Sequence, residues 1–546
     1  MNSFEYIAQI LKQEGTEWLP CYLSNPLIEE VAKLGIRPVA FRHERGAIMA
    51  ADGYSRVSDR RKFGIVAVQA QAGAENAVGG LAQANADNIP ILVLPGGNNL
   101  DRIHVSPNFQ ALRSWETVIK SGQYITRADQ TSDVMRRAFH ALRNGRGAPV
   151  LVEMPLDVCA EPVSEGAMTY TSPVASQARP SHSDVQDAVK ALVGAKNPLI
   201  WAGAGVLSAG ATGELLQLAE LLDIPVFTTM PGKSAIDERH PLALGAGSMM
   251  TTGAAKQWIN ECDVLLAVGA SLTTSPYAMP ISPDKFVIHN VLNVEEINKD
   301  APSSLGLVGD AKLTLVDLIE EAKGQAGEAG RTTGVRAKIA AVKGEWLGRW
   351  RKYLEDNDEP INPYRLIHEL NLNLDSENSM VTHDAGAPRD QLVPFYQATT
   401  PHSYIGWGKT THLGFSIPLM IGAKQAMPER FALNMMGDAA FGMSGLDIET
   451  SARAGIPITT LLLNNGGMAT YPGGFPTARE KFGVSHMQGD YAGLAIAMGA
   501  EGIRVTKPAE LGPALQKARQ LNADGKTVLI DAKTKFEDSR APDNYK

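Results

Sequence analysis

Phe431-Ala432-Leu433-Asn434-Met435-Met436-Gly437-Asp438-Ala439 passes from an apolar run into a small acidic turn, and Ile458-Thr459-Thr460-Leu461-Leu462-Leu463-Asn464-Asn465 passes from a second apolar run into a pair of amides. Residues 431–436 suit a buried strand, 444–454 have helical composition, and 458–463 read as a second strand. Parallel strands joined by a right-handed crossover bring both carboxyl ends to one edge of a sheet. Asp438 and Asn465 then leave neighbouring strand ends into one crevice, each offering oxygen. A hard cation such as Mg²⁺ takes such oxygens and fills its remaining positions with water and phosphate. The unit reads as a metal–diphosphate site. Gly-Asp and Asn-Asn are also ordinary turn formers, so the pattern needs support from elsewhere in the chain.

At 546 residues the chain exceeds one hydrophobic core, and about three domains are expected. Two stretches, 160–183 rich in Ser, Pro, Thr and Ala and 324–333 rich in Gly, Ala and Thr, divide it. The expected domains are 1–165, 184–325 and 355–546. In each third, apolar runs such as 64–68, 91–94, 199–202 and 264–268 alternate with helical segments, which argues for doubly wound, mainly parallel α/β sheets. A formal charge of −8 argues against broad nucleic-acid binding. Cys21, Cys159 and Cys262 have no CxxC or CxxH partner, which argues against a disulfide framework or a zinc site and fits a reducing compartment. No apolar run approaches a membrane span, and Met1-Asn2-Ser3-Phe4-Glu5 lacks a secretory pattern, so a cytoplasmic location without membrane partners is expected.

The amino-terminal third carries a second signal. Residues 38–41 read as a strand, Arg42-His43-Glu44 follows, and Gly46-Ala47-Ile48-Met49-Ala50-Ala51-Asp52-Gly53-Tyr54 reads as a helix of small residues. Glu44 sits ahead of that helix, where its dipole favours an acid. Taken together, these segments resemble the signature of thiamin-diphosphate-dependent enzymes. That group includes acetolactate synthases, 2-hydroxyacyl-CoA lyases, oxalyl-CoA decarboxylases and benzoylformate decarboxylases.

The resemblance implies pyrimidine-binding, central and diphosphate-binding domains, with thiamin diphosphate and Mg²⁺ as cofactors. It implies metal ligation by Asp438, the Asn465 side chain and the Gly467 main-chain carbonyl. Gly386, Ala387, Gly437, Ala439 and Ala440 would hold the cofactor, with Ala439 where the family has a glycine. Glu44 would be the catalytic acid at the N1′ nitrogen of the aminopyrimidine, buried and with a raised pKa. Asn76 would be a further cofactor contact. Leu413, ahead of Gly414-Phe415-Ser416-Ile417-Pro418, would be the wedge beneath the bent cofactor. Thr411 stands where the family commonly has a glycine whose carbonyl faces the cofactor. In this family the acid and the metal ligands of one site come from two subunits, so a homodimer or homotetramer is implied.

Several features bear on the reaction. Gly437-Asp438-Ala439-Ala440-Phe441-Gly442-Met443-Ser444-Gly445-Leu446-Asp447 resembles 2-hydroxyacyl-CoA lyases and oxalyl-CoA decarboxylases most, with acetolactate synthases a near second. Gly269-Ala270-Ser271-Leu272 replaces the Arg-Phe-Asp stretch of FAD-containing members, which argues against FAD and leaves an ADP-type ligand in the central domain open. Val68-Gln69-Ala70-Gln71-Ala72-Gly73 replaces the usual Ser-Gly-Pro-Gly. Tyr22, Gln110, Met468 and Tyr471 are the expected substrate-pocket residues, and Tyr471-Pro472-Gly473-Gly474-Phe475 could cover the site.

The implied activity cleaves, decarboxylates or forms a carbon–carbon bond beside a carbonyl, through a carbanion/enamine on the cofactor. It is read as 2-hydroxyacyl-CoA lyase-like or 2-oxoacid decarboxylase-like, acting on a 2-oxoacid, an aldehyde or ketone, or an acyl-CoA. The alternatives are acetolactate-synthase-type transfer between 2-oxoacids, or a homologue that binds the cofactor without catalysis. A nicotinamide site at Trp201-Ala202-Gly203-Ala204-Gly205-Val206 is disfavoured, because the third glycine of the dinucleotide fingerprint is missing.

Overall fold

In a computed structural model of the chain, residues 1–247, 249–274, 278–468 and 474–541 are described. They form three six-stranded sheets in which every ladder is parallel. The first contains β1 (Trp18–Cys21), β2 (Arg37–Ala40), β3 (Gly64–Val68), β4 (Ile91–Gly97), β5 (Ser121–Tyr124) and β6 (Val150–Pro155), in the order β2-β1-β3-β4-β6-β5. The second contains β7 (Pro198–Ala202), β8 (Val226–Thr229), β9 (Ala243–Gly247), β10 (Val264–Val268), β11 (Phe286–Val291) and β12 (Leu305–Val308), in the order β12-β11-β10-β7-β8-β9. The third contains β13 (Ser379–His383), β14 (Tyr404–Ile405), β15 (Phe431–Gly437), β16 (Thr459–Asn464), β17 (Glu501–Val505) and β18 (Val528–Lys533), in the order β14-β13-β15-β16-β18-β17.

Strands such as β3 and β10 are buried at every residue, as expected when helices cover both faces of a parallel sheet. Strand order reverses between β1 and β3, between β7 and β10, and between β13 and β15. Doubly wound sheets open their ligand crevices at such reversals. At the β7–β10 reversal the main chain itself packs tightly. The Gly205 N–H donates to the Gly269 carbonyl at 2.9 Å, and a Cβ on Gly205 would lie 2.6 Å from Gly269 Cα. The Gly-x-Gly of residues 203–205 is thus required by close backbone approach.

The chain separates into two compact units. One holds residues 1–176 with 408–428 and 444–457; the other holds 177–407, 429–443 and 458–546. The first sheet lies in the former, the second and third in the latter. In the former unit, the helices Glu44–Arg56 and Ser416–Ala426 meet through glycine. A Cβ on Gly53 would collide with the Leu419 carbonyl, and one on Gly422 with the Ala50 carbonyl. In the same unit the helix Asp447–Ala454 covers the edge strand β2. Arg453 donates to the Ala40 carbonyl at 2.6 Å, Arg37 donates to the Ala454 carbonyl, and the Arg42 N–H donates to Asp447 Oδ1 at 2.9 Å. A bare edge is an aggregation hazard, and this helix removes it.

Candidate active site

Glu44 is the first residue of the helix Glu44–Arg56. His43 caps that helix, its Nδ1 accepting from the Arg45 N–H at 3.1 Å. This fixes the turn after β2 and directs Glu44 inward, where it is only 4% exposed. Asn76, on the helix Ala72–Ala86, donates from Nδ2 to Glu44 Oε2 at 3.1 Å. The other oxygen, Oε1, lies beside Gly73, where an added Cβ would be 3.3 Å away. The predicted cofactor contact Asn76 is therefore also the residue that orients the predicted acid.

Thr411 and Leu413 sit on a segment of the same unit that is hung from a buried polar network. Arg56 donates to Asp52 at 2.8 Å and 3.1 Å and to Asp87 at 3.1 Å, and Gln83 donates to Asp87 at 2.8 Å. Asp87 accepts the main-chain N–H groups of Gly408 at 3.0 Å and Lys409 at 3.2 Å. Gln83 accepts the Thr410 hydroxyl at 2.8 Å. Thr411 takes φ +56°, a left-handed conformation that a β-branched residue seldom adopts. Leu413 is 37% exposed, so it is not spent on filling a core. Next to it, burial and then the Arg45 guanidinium lower the His412 pKa, favouring the neutral imidazole.

Tyr22 follows β1, its N–H bonded to the Ala67 carbonyl at 3.2 Å. Asn25, buried at the β1–β3 reversal, donates to the carbonyls of both Val68 and Leu94 at 2.9 Å. Gln110 precedes the short helix Ala111–Ser114 and donates to the Ile103 carbonyl.

In the second unit, β15 and β16 are neighbours with Gly437 opposite Leu463, so Asp438 and Asn465 leave adjacent strand ends as the sequence predicts. Asp438 opens the helix Asp438–Ser444. Its Oδ1 accepts the Ala439 N–H and its Oδ2 the Gly466 N–H, both at 2.8 Å. Burial pushes the Asp438 pKa up, while those amides pull the other way. Asn465 Oδ1 accepts the Gly467 N–H at 3.0 Å. Asn464 is tied instead to Asp531 on β18, at 2.9 Å. Gly386, at φ +87°, precedes Ala387 at the start of the helix Ala387–Phe395. A Cβ placed on Gly386 or Gly437 would meet nothing within 4 Å, so both loops border open space. Ala440 is buried behind Asp438, and Met468 is 37% exposed. Tyr471, Pro472 and Gly473 lie outside the described residues.

Among the described residues no group of three or more His, Cys, Asp or Glu side chains is arranged to hold a metal ion. The predicted set contains one carboxylate, with amide and main-chain oxygens for the rest. Each Asp438 oxygen spends one lone pair on an amide and keeps another, and the Asn465 oxygen does the same. The donor chemistry fits a hard cation that keeps water and phosphate in its shell.

The matches to protein-family models span most of the chain. Residues 1–119 match the thiamine pyrophosphate enzyme N-terminal TPP binding domain, 185–318 the central domain, and 384–532 the C-terminal TPP binding domain. The chain belongs to the thiamine pyrophosphate enzyme family. It is therefore a thiamin-diphosphate-dependent enzyme of carbon–carbon bond chemistry. It is 29% identical to a probable acetolactate synthase large subunit of Methanococcus aeolicus, over 97% of this chain and 91% of that protein. It is 28% identical to the acetolactate synthase large subunit of Corynebacterium glutamicum, over 95% and 83%. With the acetolactate synthase isozyme 3 large subunit of Escherichia coli K12 it is 26% identical, over 97% and 94%. Among the described residues no helix is long and apolar enough to cross a membrane.

Residue patterns gave no notice of Asp52, Gln83, Arg56, Asp87, Asn25 and Asp447 as supports of the site. Some pair locally, Asp52 with Arg56 and Gln83 with Asp87, but the bonds that reach the site span far in the chain, as from Asp87 to Gly408 across 321 positions. A signal that could have found two of them is a polar residue set among small ones, Asp52 within 46–54 and Gln83 within 79–86.

Proposed function

We propose that this enzyme joins two 2-oxoacids in an acetolactate-synthase-type reaction, using thiamin diphosphate and Mg²⁺. One substrate loses CO₂, and the remaining acyl unit bonds to the carbonyl carbon of the second. The observation that carries the reading is the end-to-end similarity to acetolactate synthase large subunits, at 95–97% coverage of this chain. It favours this alternative over the acyl-CoA lyase reading drawn from the stretch around Asp438.

Thiamin diphosphate, when bound, supplies a carbon nucleophile for the substrate carbonyl and a sink for the electron pair left by bond breaking. The protein supplies position and protons. Glu44 would hold the pyrimidine through the carboxyl oxygen not taken by Asn76 and exchange a proton there. The main-chain carbonyl of Thr411 would accept from the amino group of that ring, and Leu413 would support the bound cofactor. Asp438, Asn465 and the Gly467 carbonyl would hold Mg²⁺, with Gly386, Ala387, Gly437, Ala439 and Ala440 lining the diphosphate. Tyr22, Gln110, Met468 and Tyr471 would border the substrate. A homodimer or homotetramer would complete each site across a subunit boundary.

The test is product analysis by NMR after incubating the purified protein with thiamin diphosphate, Mg²⁺ and pyruvate. A second incubation replaces pyruvate with a 2-hydroxyacyl-CoA. A branched 2-hydroxy-3-oxoacid and CO₂ are expected from the first. Cleavage of the thioester with no product from pyruvate would overturn the assignment in favour of a lyase.

A further inference from the structure

Gln71 is the residue before the helix Ala72–Ala86 and takes φ +56° and ψ −118°, a combination that suits glycine. A residue with a side chain persists there only when its surroundings hold it. Its own carboxamide does the holding. Nε2 donates to Asn98 Oδ1 and, at 3.1 Å, to Asn108 Oδ1, while Oε1 accepts the Phe109 N–H at 2.9 Å. Asn98 closes the ring by donating from Nδ2 to the Phe109 carbonyl at 2.8 Å. Asn108 donates in turn to the Arg102 carbonyl at 2.9 Å. Both donors and the acceptor of Gln71 are used, and both main-chain groups of Phe109 are fixed by side chains. A satisfied network of this kind is rigid.

The same turn touches the catalytic acid. Gly73, two residues on, packs its Cα against Glu44 Oε1, where an added Cβ would lie 3.3 Å away. Phe109 leads directly into Gln110, which also lines a cavity of about 560 Å³ together with residues including Leu112, Tyr124 and Glu153. The Asn108–Gln110 strip therefore runs from the turn beside Glu44 to open volume at Gln110, and Gln71 fixes its place.

We propose that Gln71 is a positioning residue that clamps residues 108–110 at the mouth of the site and thereby restricts the acyl group to a short, unbranched 2-oxoacid. This rests on the proposed reaction. Removing the clamp frees the strip to shift and admits longer chains.

The test compares the unsubstituted protein with Gln71→Gly, which accepts the backbone conformation, and with Gln71→Asn, which shortens the reach of the amide. Hydrogen exchange at the Phe109 amide is read by mass spectrometry, and kcat and KM are measured for pyruvate and 2-oxohexanoate. Losing one hydrogen bond of about 1.4 kcal/mol corresponds to about tenfold faster exchange at Phe109 in Gln71→Gly. The KM for pyruvate should rise several-fold with little change in kcat, and the kcat/KM ratio of 2-oxohexanoate to pyruvate should rise about tenfold, with thiamin diphosphate affinity unchanged. Gln71→Asn should behave like Gln71→Gly. Unchanged exchange at Phe109, or an unchanged chain-length ratio in an active Gln71→Gly protein, would overturn the clamp. Failure of the unsubstituted protein to consume either 2-oxoacid would instead overturn the proposed reaction, and with it the substrate restriction; exchange at Phe109 would then decide the clamp alone.

Discussion

Glu44 combines deep burial with a neutral hydrogen-bond donor, Asn76. Asn76 can donate to a carboxylate or to the carbonyl oxygen of an amide, so Glu44→Gln should keep the side chain in place. What it loses is the exchangeable proton. General acid–base assistance contributes about 10²–10⁴-fold, and turnover should fall by that order while thiamin diphosphate still binds. Cofactor titration by circular dichroism beside a steady-state assay separates the two, and parent-like turnover would remove Glu44 from the chemistry. Thr411 poses a different question, because its proposed contact comes from the main chain. With φ at +56° the β-branched side chain is strained, and Thr411→Gly should stabilise the fold by about 1 kcal/mol once glycine's own entropy cost is subtracted. Thermal unfolding together with the KM for thiamin diphosphate tests this. A lower melting temperature, or a lost cofactor, would show that the threonine side chain itself is needed.

At the scale of elements, the strands were the legible part. Residues 64–68 and 264–268 are read from their apolar runs and are β3 and β10 to the residue, because a strand buried on both faces must be apolar throughout. Helix starts were less legible. The segment of helical composition over 444–454 holds the helix Asp447–Ala454, while a separate helix ahead of it, Asp438–Ser444, opening where Asp438 accepts the Ala439 N–H, was not expected. The glycine-rich composition of 437–445 hid the latter. The grouping of 408–428 and 444–457 with the first sheet was not legible at all, since it rests on glycine contacts and side-chain hooks between residues hundreds of positions apart. One hook is open to test. Asp447 Oδ1 accepts the Arg42 N–H at 2.9 Å and the Thr450 hydroxyl at 2.8 Å, while Oδ2 crowds Gly46, where a Cβ would lie 2.5 Å away. The turn between β2 and Glu44 is thus gripped on both sides of the acid. Asp447→Ala removes the hydrogen bonds to the Arg42 N–H and the Thr450 hydroxyl, at about 0.5–1.5 kcal/mol each. Denaturant unfolding should show that loss. A further fall in kcat, beyond any loss of folded protein, should follow from a misplaced Glu44, and an unchanged kcat would make Asp447 purely structural.

At the scale of the whole molecule, two buried carboxyls weigh on the response to pH near neutrality. Burial pushes Glu153 up from 4.5 to about 7, although the Leu112 N–H at 2.8 Å opposes it. Burial likewise pushes Asp447 up from 3.8 to about 6, with the Arg42 N–H and the Thr450 hydroxyl opposing. Both are almost fully inaccessible, at 2% exposure each. A carboxyl whose pKa is raised by folding binds its proton more tightly in the native state. Its favourable contribution is complete below its unfolded pKa and is lost as pH rises through the folded value. Each group therefore withdraws on the order of 3 kcal/mol, Asp447 from about pH 4 to about 6 and Glu153 from about pH 4.5 to about 7. Carboxyls held low by hydrogen bonds, such as Asp223 beneath Thr333 and Arg336, act in the opposite sense and lose their contribution only in stronger acid. Stability should thus peak in mild acid, at about pH 4 where the two sets of carboxyls cross, and decline toward pH 8. Glu153→Gln combined with Asp447→Asn keeps acceptors for Leu112 and Arg42 but cannot ionise. Melting temperatures measured from pH 4.5 to 8.5 should fall toward neutrality for the parent and fall distinctly less for the double variant. Parallel curves for the two proteins would mean that other groups govern the neutral limb, and that burial of Glu153 and Asp447 costs the charged fold little.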